Sequence, residues 1–273
     1  MADKQSYEDD IRDEDVEKTT TGAIGSMINT DVSIKTDEAK TGVVAIIPAR
    51  GGSKRIPNKN IKLFAGQPII SYSIKAAQKT NLFDRIIVST DSEEIAEVAK
   101  FYGAEVPFVR PVELSDDFTL TVPVLLHALN WLKDHAYATN YFCCIYATAP
   151  FIKSAYIKKG LDLIKNANAT VAFSVTTFPY PIFRARKIDK NRHIRMFWPE
   201  YENSRSNDLP EAYHDAGQIY WGNTEKFIGT KTFFSPDTIP IVIPRYLVQD
   251  IDTPEDWETA EKMYLTLQMD KNK

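Results

Sequence analysis

The sequence predicts an α/β fold with a doubly wound, mostly parallel sheet. Short apolar runs rich in β-branched residues alternate with segments of helical periodicity from Val43 onwards. Such runs are typical of strands covered on both faces, and a repeated order of strand, helix and strand indicates parallel pairing. A chain of 273 residues can bury one such core with a small appended element. We therefore expect one main domain over residues 42–273.

Each predicted element has a local signal. The apolar runs predict strands at 43–48, 85–90, 106–110, 141–147, 170–175, 217–223 and 239–244. Helical spacing predicts helices at 68–80, 92–102 and 121–135. Asp91 or Ser92 would be the N-cap of the second helix. A last helix begins near Pro254, because proline suits the first helical turn, and the core ends near Gln268.

Two segments depart from this alternation. Residues 1–41 carry 11 acidic and 5 basic side chains and little apolar surface, which predicts a disordered acidic tail. Residues 176–212 contain four scattered prolines among aromatic and charged residues, over a stretch longer than an ordinary connection. We predict an inserted arm there, with short strands of its own.

Charge and hydropathy exclude several functions. Beyond residue 41 the chain carries 28 basic and 26 acidic side chains, which argues against a nucleic-acid partner. No apolar run approaches the roughly 20 residues that a membrane span needs. The polar, acidic start does not resemble a secretory signal, so we expect no membrane contact and a cytoplasmic protein. Cys143 and Cys144 are adjacent in a predicted strand and point to opposite faces, which disfavours a disulfide or metal site.

A glycine pair surrounded by cations follows the first predicted strand. Segment 49–60 has the sequence ARGGSKRIPNKN and lies where α/β sheets bind ligands. Two glycines let backbone N–H groups approach an anion, and positive charge comes from Arg50, Lys54, Arg55 and Lys59. The Walker A and G-x-G-x-x-G spacings are both absent. The segment predicts a triphosphate site of another class, with an ordinary basic turn as the alternative.

Several separated segments resemble the CMP-sialic acid synthetase family of cytidylyltransferases. They are IIPARGGSKRIPNKN at 46–60, DRIIVSTD at 84–91 and RPVELS at 110–115. CCIYATAP at 143–150 and LPEAYHDAGQ at 209–218 look most like the branch that activates pseudaminic acid. The resemblance covers about residues 43–268. It implies a sheet of the nucleotide-diphospho-sugar transferase type and an enzyme that joins CMP from CTP to an acidic nine-carbon sugar.

The resemblance implies a nucleotide site in the first half of the chain. The residues that would contact CTP are Arg50, Gly51, Gly52, Ser53, Lys54 and Asn60. Arg110 and Thr121 would help to read the cytosine, and Asp91 is a further candidate near the nucleotide. For Asp91 the alternative role is the N-cap, and for Thr121 it is a hydroxyl at a helix start.

Near the end of the chain, Asp250 and Asp252 flank Ile251. An extended backbone would place both carboxylates on one face. Mg²⁺ prefers oxygen ligands and usually takes one or two carboxylates together with substrate phosphates. The corresponding aspartates of the resembled family serve the metal, which predicts Mg²⁺ here. Arg50, Lys54 and Asp252 are the expected catalytic residues, with a cap on the last helix as the alternative role of Asp252.

The sugar carboxylate requires a cation or several N–H donors. Family position places Arg184 and His214 near the sugar, with Tyr146, Thr148 and Gln218 lining its pocket. The usual sialic acid pattern has Gln at Tyr146 and Arg at His214, so these positions favour pseudaminic acid over N-acetylneuraminic or legionaminic acid. The family commonly dimerises through its insertion, which predicts a homodimer through the arm.

Three rival readings stay open. The first is the same reaction on N-acetylneuraminic or legionaminic acid. The second is a sugar transferase with a related nucleotide fold, which would consume a sugar nucleotide and release no pyrophosphate. The third is a nucleotide-binding regulator without catalysis. No residue pattern identifies a general base.

Overall fold

A computed structural model of the protein describes residues 42–271, with side chains to residue 269. The predicted acidic tail at 1–41 lies outside the described residues. Within 42–271, no helix is long and apolar enough to cross a membrane.

A six-stranded sheet forms the centre of the fold. The strands in chain order are β1 (Val43–Pro48), β2 (Leu63–Phe64), β3 (Gln67–Pro68), β4 (Arg85–Ser89), β5 (Tyr141–Ile145), β6 (Val171–Thr177), β7 (Arg186–Ile188), β8 (Ile194–Met196), β9 (Tyr213–Asn223) and β10 (Ile239–Val242). The sheet order is β10-β6-β9-β5-β1-β4, and its pairings are parallel except the two made by β9. The predicted mostly parallel sheet is confirmed.

Helices cover both faces of this sheet. They are α1 (Ile70–Thr80), α2 (Glu93–Phe101), α3 (Thr121–Asp134), α4 (Ser154–Asn166), α5 (Thr224–Thr230) and α6 (Pro254–Lys271). Buried residues of α1, α2, α4 and α6 form the core on one face, and those of α3 and α5 form it on the other. Cys143 belongs to the first core and Cys144 to the second, as the alternation of strand side chains predicts.

The prediction of a strand at 106–110 is wrong. This segment lies beside β4 and makes only isolated bridges, which pair Ile87 with Glu105 and Thr90 with Val109. Pro107 cannot donate a backbone hydrogen bond, so the ladder cannot continue through it. The side chain of Val109 is 78% exposed, which fits an open sheet edge. The apolar composition of the run therefore reflects this edge and does not make a strand.

The caps proposed as alternative roles of Asp91 and Asp252 are made by neighbouring residues instead. Ser92 caps α2, because its hydroxyl accepts a hydrogen bond from the Ile95 N–H. At the start of α6, Thr253 Oγ1 accepts from the Asp256 N–H, and the Asp256 carboxylate accepts from the Thr253 N–H. The side chain of Asp252 is therefore not needed as a cap.

The predicted arm leaves and re-enters the sheet at adjacent strand ends. Thr177, the last residue of β6, pairs with Tyr213, the first residue of β9. Between them, β7 and β8 form an antiparallel pair with Arg186 opposite Met196. The short strands expected in the arm are therefore present, whereas its role in dimerisation stays a prediction.

Candidate active site

A cavity of about 510 Å³ opens at the carboxyl ends of β1 and β5. The parallel neighbours of β1 are β4 on one side and β5 on the other, and α1 and α3 lie on opposite faces of the sheet. This is the position at which doubly wound sheets bind ligands. The predicted site residues that line the cavity are Arg50, Ser53, Lys54, Asn60, Arg110, Thr121, Tyr146, Thr148 and Asp252.

The glycine turn after β1 is held in place by side chains. Asn60 donates a hydrogen bond from Nδ2 to the Arg50 carbonyl oxygen, 2.9 Å away. Asp91 Oδ1 accepts from the Gly51 N–H at 2.8 Å. A Cβ on Gly51 would lie 3.0 Å from the Cβ of Ser92, so this close approach favours glycine. Asp91 thus anchors the turn to the start of α2, and the Gly51 N–H is already occupied in this structure.

The two cations of the turn that were expected to bind phosphates meet at one carboxylate. Arg50 Nη1 lies 2.7 Å from Asp117 Oδ1, and Lys54 Nζ forms an ion pair with Asp117 Oδ2. Asp117 belongs to the segment between the 106–110 run and α3, and it also lines the cavity. These pairs hold the pKa of the Asp117 carboxyl below its usual range. The cavity lining therefore contains both this cationic pair and an internal anion.

Asp252, another residue of the cavity lining, is held by two other cations from the same turn. Arg55 Nη2 lies 2.9 Å from its carboxylate, and Lys59 Nζ lies 3.4 Å from it. Lys59 also donates to the backbone carbonyl of Ile251 at 2.7 Å. The fully buried Ile251 side chain anchors the segment from below. These contacts bring Asp252 to the cavity lining, whereas Asp250 is not one of the lining residues.

The Asp250 and Asp252 carboxylates form a donor set that a hard cation can use. Partial burial, followed by the negative charge of Asp252, raises the pKa of Asp250. A bound cation would relieve this unfavourable proximity of two carboxylates. In residues 42–271, no group of three or more His, Cys, Asp or Glu side chains is arranged to hold a metal. The pair therefore fits a divalent ion that takes two carboxylates and completes its shell with phosphates and water.

Arg110 is a buried residue of the cavity lining. It is only 3% exposed, and its Nε donates to Ser89 Oγ at 3.1 Å while Nη2 donates to the Ser89 carbonyl oxygen. Burial lowers the pKa of Arg110 to about 10, so the guanidinium is still positive at neutral pH. Ser89 therefore orients a buried cation that lines the proposed base-binding end.

Thr121 and Tyr146 are hydrogen-bonded to each other in the cavity lining. Thr121 Oγ1 and the Tyr146 hydroxyl oxygen lie 2.9 Å apart. The Tyr146 ring packs at 5.1 Å on that of Tyr220, whose hydroxyl donates to both carboxylate oxygens of Asp215 at 2.8 Å. Burial is the main cause of the raised pKa of both tyrosines. The Thr121 hydroxyl thus binds Tyr146 and caps nothing.

The other predicted sugar residues lie apart from the cavity lining. Gln218 is buried, and its side chain donates from Nε2 to the Leu247 carbonyl oxygen at 2.6 Å. Its backbone carbonyl oxygen accepts from the Tyr146 N–H. The His214 ring packs against Phe178 at 4.8 Å. Arg184 lines a second cavity, of about 470 Å³, within the arm. The single chain therefore brings Tyr146 and Thr148 to the main cavity but leaves His214 and Arg184 outside its lining.

Sequence reasoning assigned no individual role to several residues of the cavity. The sequence predicted Lys59 and Arg55 only as part of the positive charge of segment 49–60, although they hold the Asp252 carboxylate. Asp117 and Thr119 follow the RPVELS motif and were passed over, although both line the cavity. The adjacent pair Asp116 and Asp117 was the available signal, because two carboxylates beside a cationic turn need partners.

Known proteins resemble this chain over most of its length. Residues 44–265 match a family model described as cytidylyltransferase. The chain is 43% identical over 221 residues to a pseudaminic acid cytidylyltransferase of Campylobacter jejuni, which covers 81% of this chain and 95% of that relative. It is 33% identical over 225 residues to a CMP-N,N'-diacetyllegionaminic acid synthase of Legionella pneumophila, which covers 81% of this chain and 95% of that relative.

Solved structures agree on the fold. The structure of a CMP:2-keto-3-deoxy-manno-octonic acid synthetase complexed with CTP superposes with a TM-score of 0.61 at 15% sequence identity. The match covers 82% of this chain and 98% of the other. At this identity the likeness bears on the fold alone.

Proposed function

This chain belongs to the cytidylyltransferase family, and we propose that it joins CMP from CTP to pseudaminic acid with release of pyrophosphate. The observation that carries the proposal is the composition of the cavity at the carboxyl ends of β1 and β5. Its lining brings together the cations Arg50 and Lys54, the carboxylate of Asp252, and the hydroxyl-bearing residues Tyr146 and Thr148. A nucleotide triphosphate, a divalent ion and an acidic sugar each find suitable partners in that space.

The choice of sugar is supported by two facts. The relative at 43% identity is named for pseudaminic acid, whereas the one named for diacetyllegionaminic acid is 33% identical. Tyr146, at a position where the sialic acid pattern has Gln, lines the cavity. N-acetylneuraminic and legionaminic acid are the alternative substrates.

The proposed reaction is a direct displacement. The anomeric hydroxyl oxygen attacks the α-phosphorus, the bond to the bridging oxygen breaks, and pyrophosphate leaves with the bonding electrons. The hydroxyl proton is lost to solvent or to a neighbouring base. Arg50 and Lys54 would bind the leaving phosphates and neutralise the charge that develops there. Ser53 and Asn60 would complete the phosphate site, with the Gly52 N–H in place of the occupied Gly51 N–H.

Arg110 and Thr121 would contact the cytosine, with Asp91 acting through the glycine turn that it anchors. Arg110 and Thr121 both line the cavity, as does Asp117. The pose in which the sugar hydroxyl faces the α-phosphorus would depend on Tyr146 and Thr148. Positioning of two reactants in one cavity supplies a large part of the rate acceleration in such reactions.

Cytidylyltransferases that use CTP generally need a divalent metal, and we propose Mg²⁺. Asp250 and Asp252 would hold it, with Arg55 and Lys59 fixing the Asp252 carboxylate before the metal binds. Bound there, the ion would neutralise phosphate charge and lower the pKa of the attacking hydroxyl.

Two further elements complete the proposal. Arg184, His214 and Gln218 would serve the sugar, the first two through a homodimer in which the arm reaches beyond its own subunit. The exposed apolar side chains of the arm, among them Tyr180 and Ile188, support such a contact.

We propose a cytoplasmic location, supported by the two free cysteines, since thiols stay reduced in that compartment.

The test is turnover by the purified chain with CTP, Mg²⁺ and a panel of three nine-carbon acids, followed by pyrophosphate release. We expect kcat/KM to be highest for pseudaminic acid, by about tenfold or more over N-acetylneuraminic acid. Binding of CTP without release of pyrophosphate in the presence of any of the three sugars would instead identify a non-catalytic regulator. Higher kcat/KM with legionaminic acid would overturn the choice of sugar and leave the reaction class intact.

A further inference from the structure

Asp117 occupies the two cations that the proposed function assigns to the phosphates. Its carboxylate bridges Arg50 and Lys54, one oxygen to each. A carboxylate between two cations has the same charge complementarity as a phosphate group in that position. A triphosphate that binds Arg50 and Lys54 must therefore displace Asp117 or share the cations with it.

Hydrogen bonds within the turn hold the conformation of the segment around Asp117, whereas its outer side chains are exposed. Asp116 Oδ1 accepts hydrogen bonds from the N–H groups of Phe118 and Thr119, at 3.0 and 2.7 Å, and from the Thr119 hydroxyl at 2.7 Å. The outer side chains, Phe118 and Leu120, are 89% and 74% exposed. Because little apolar surface is buried there, the turn can move away from the cations as a unit at small cost.

We propose that Asp117 is an internal competitor of the phosphates, which pairs with Arg50 and Lys54 in the empty enzyme and returns to them to release pyrophosphate. The inference rests on the proposed function, because it takes these two cations as the phosphate site. Asp117 acts through Arg50 and Lys54 and is not itself a catalytic residue. Its role is to keep the site from holding the leaving group too tightly.

The competition operates throughout the neutral range. The paired cations lower the pKa of Asp117 below the usual carboxyl value. The ion pairs are therefore fully present above about pH 4 and are lost only as the pH falls through the lowered pKa. The effect of removing the Asp117 charge should be constant from about pH 6 to pH 9.

The test is Asp117→Asn, which keeps the size of the side chain and removes its charge. We expect the dissociation constants of CTP and of inorganic pyrophosphate, measured by calorimetry, to fall by roughly 2- to 30-fold, the worth of two exposed ion pairs. Product inhibition by pyrophosphate should strengthen equally. Where release limits turnover, kcat should fall while KM for CTP also falls.

Glu113→Gln is the matched control. It removes the same formal charge from the same segment, and in the described residues Glu113 forms no ion pair with Arg50 or Lys54. We expect the dissociation constants of CTP and pyrophosphate for this variant to lie within about twofold of those of the unaltered chain, since exposed charges are screened. Asp117→Ser should reproduce the Asn variant and exclude an effect of the new amide.

Unchanged or weaker pyrophosphate binding by both folded Asp117 variants would overturn the inference, and would show that Asp117 merely holds the cations in place. Failure of the proposed function has a different signature, because the unaltered chain would then bind no CTP or release no pyrophosphate.

Discussion

The hydroxyl oxygens of Thr121 and Tyr146 lie 2.9 Å apart, which links the first turn of α3 to the residue that follows β5. Thr121 stands at the proposed cytosine end and Tyr146 at the proposed sugar end of the same cavity. A change at one hydroxyl should therefore affect the binding of both substrates, although unequally.

Tyr146→Phe should raise KM for the sugar by about tenfold and change KM for CTP by less than about threefold. The variant keeps the ring that packs on Tyr220 and loses only the hydroxyl. Steady-state kinetics with each substrate varied in turn measure the split. Tyr141→Phe, at the other end of β5, is the control and should change neither constant. Equal kinetics for Tyr146→Phe and the unaltered chain would remove Tyr146 from the sugar site.

Asp252→Asn should lower kcat by at least about 100-fold, because it removes one of the two proposed metal carboxylates. The side chain is 39% exposed and its ion pairs are of the surface type, so Tm should change by less than about 4 °C. Turnover over a Mg²⁺ titration and thermal unfolding give the two readouts. Glu255→Gln, an exposed acid nearby, should leave both unaltered. A folded Asp252→Asn variant with normal turnover would refute the metal role.

Arg110→Lys should weaken CTP binding by about tenfold and reduce discrimination against UTP. Lysine keeps the charge but cannot reproduce the contacts of the buried guanidinium with both oxygens of Ser89. Binding of CTP and UTP to the variant measures the effect. Ser89→Ala removes the hydroxyl partner and keeps Arg110. Loss of stability with an unchanged preference for CTP in both variants would assign Arg110 to the core.

Gly160→Ala should destabilise the protein by about 1–3 kcal/mol. A Cβ at this position of α4 would lie 2.4 Å from Trp221 Cδ1 and 2.6 Å from Ile241 Cδ1, and both side chains are fully buried. Gly229→Ala, in α5, is the matched substitution, because no atom lies within 4 Å of its added Cβ. It should be neutral or stabilise by up to about 1 kcal/mol. Chemical denaturation measures the free energy of unfolding of each variant. Equal values for Gly160→Ala and Gly229→Ala would contradict the packing argument.

Local sequence signals found most of the secondary structure. The run Val43–Pro48 was predicted with its observed ends, because a short apolar stretch rich in β-branched residues favours a buried strand over a helix. The helix α4 was not predicted, although Ile157, Leu161 and Ile164 have helical spacing and form its buried face, which packs on β9 and β10. The run 106–110 had the composition of a strand, but Pro107 leaves it as an incomplete edge.

By itself the sequence determined the sheet, the cationic glycine turn, and the carboxylate pair around Ile251. Each depends on the spacing of neighbouring residues and on short-range backbone geometry. Only the tertiary structure decided that Asp91 anchors the turn, that Lys59 holds the Asp252 loop, and that Asp117 meets Arg50 and Lys54. These contacts join residues 40 to 192 positions apart, and no local pattern encodes which charges meet once the sheet has assembled.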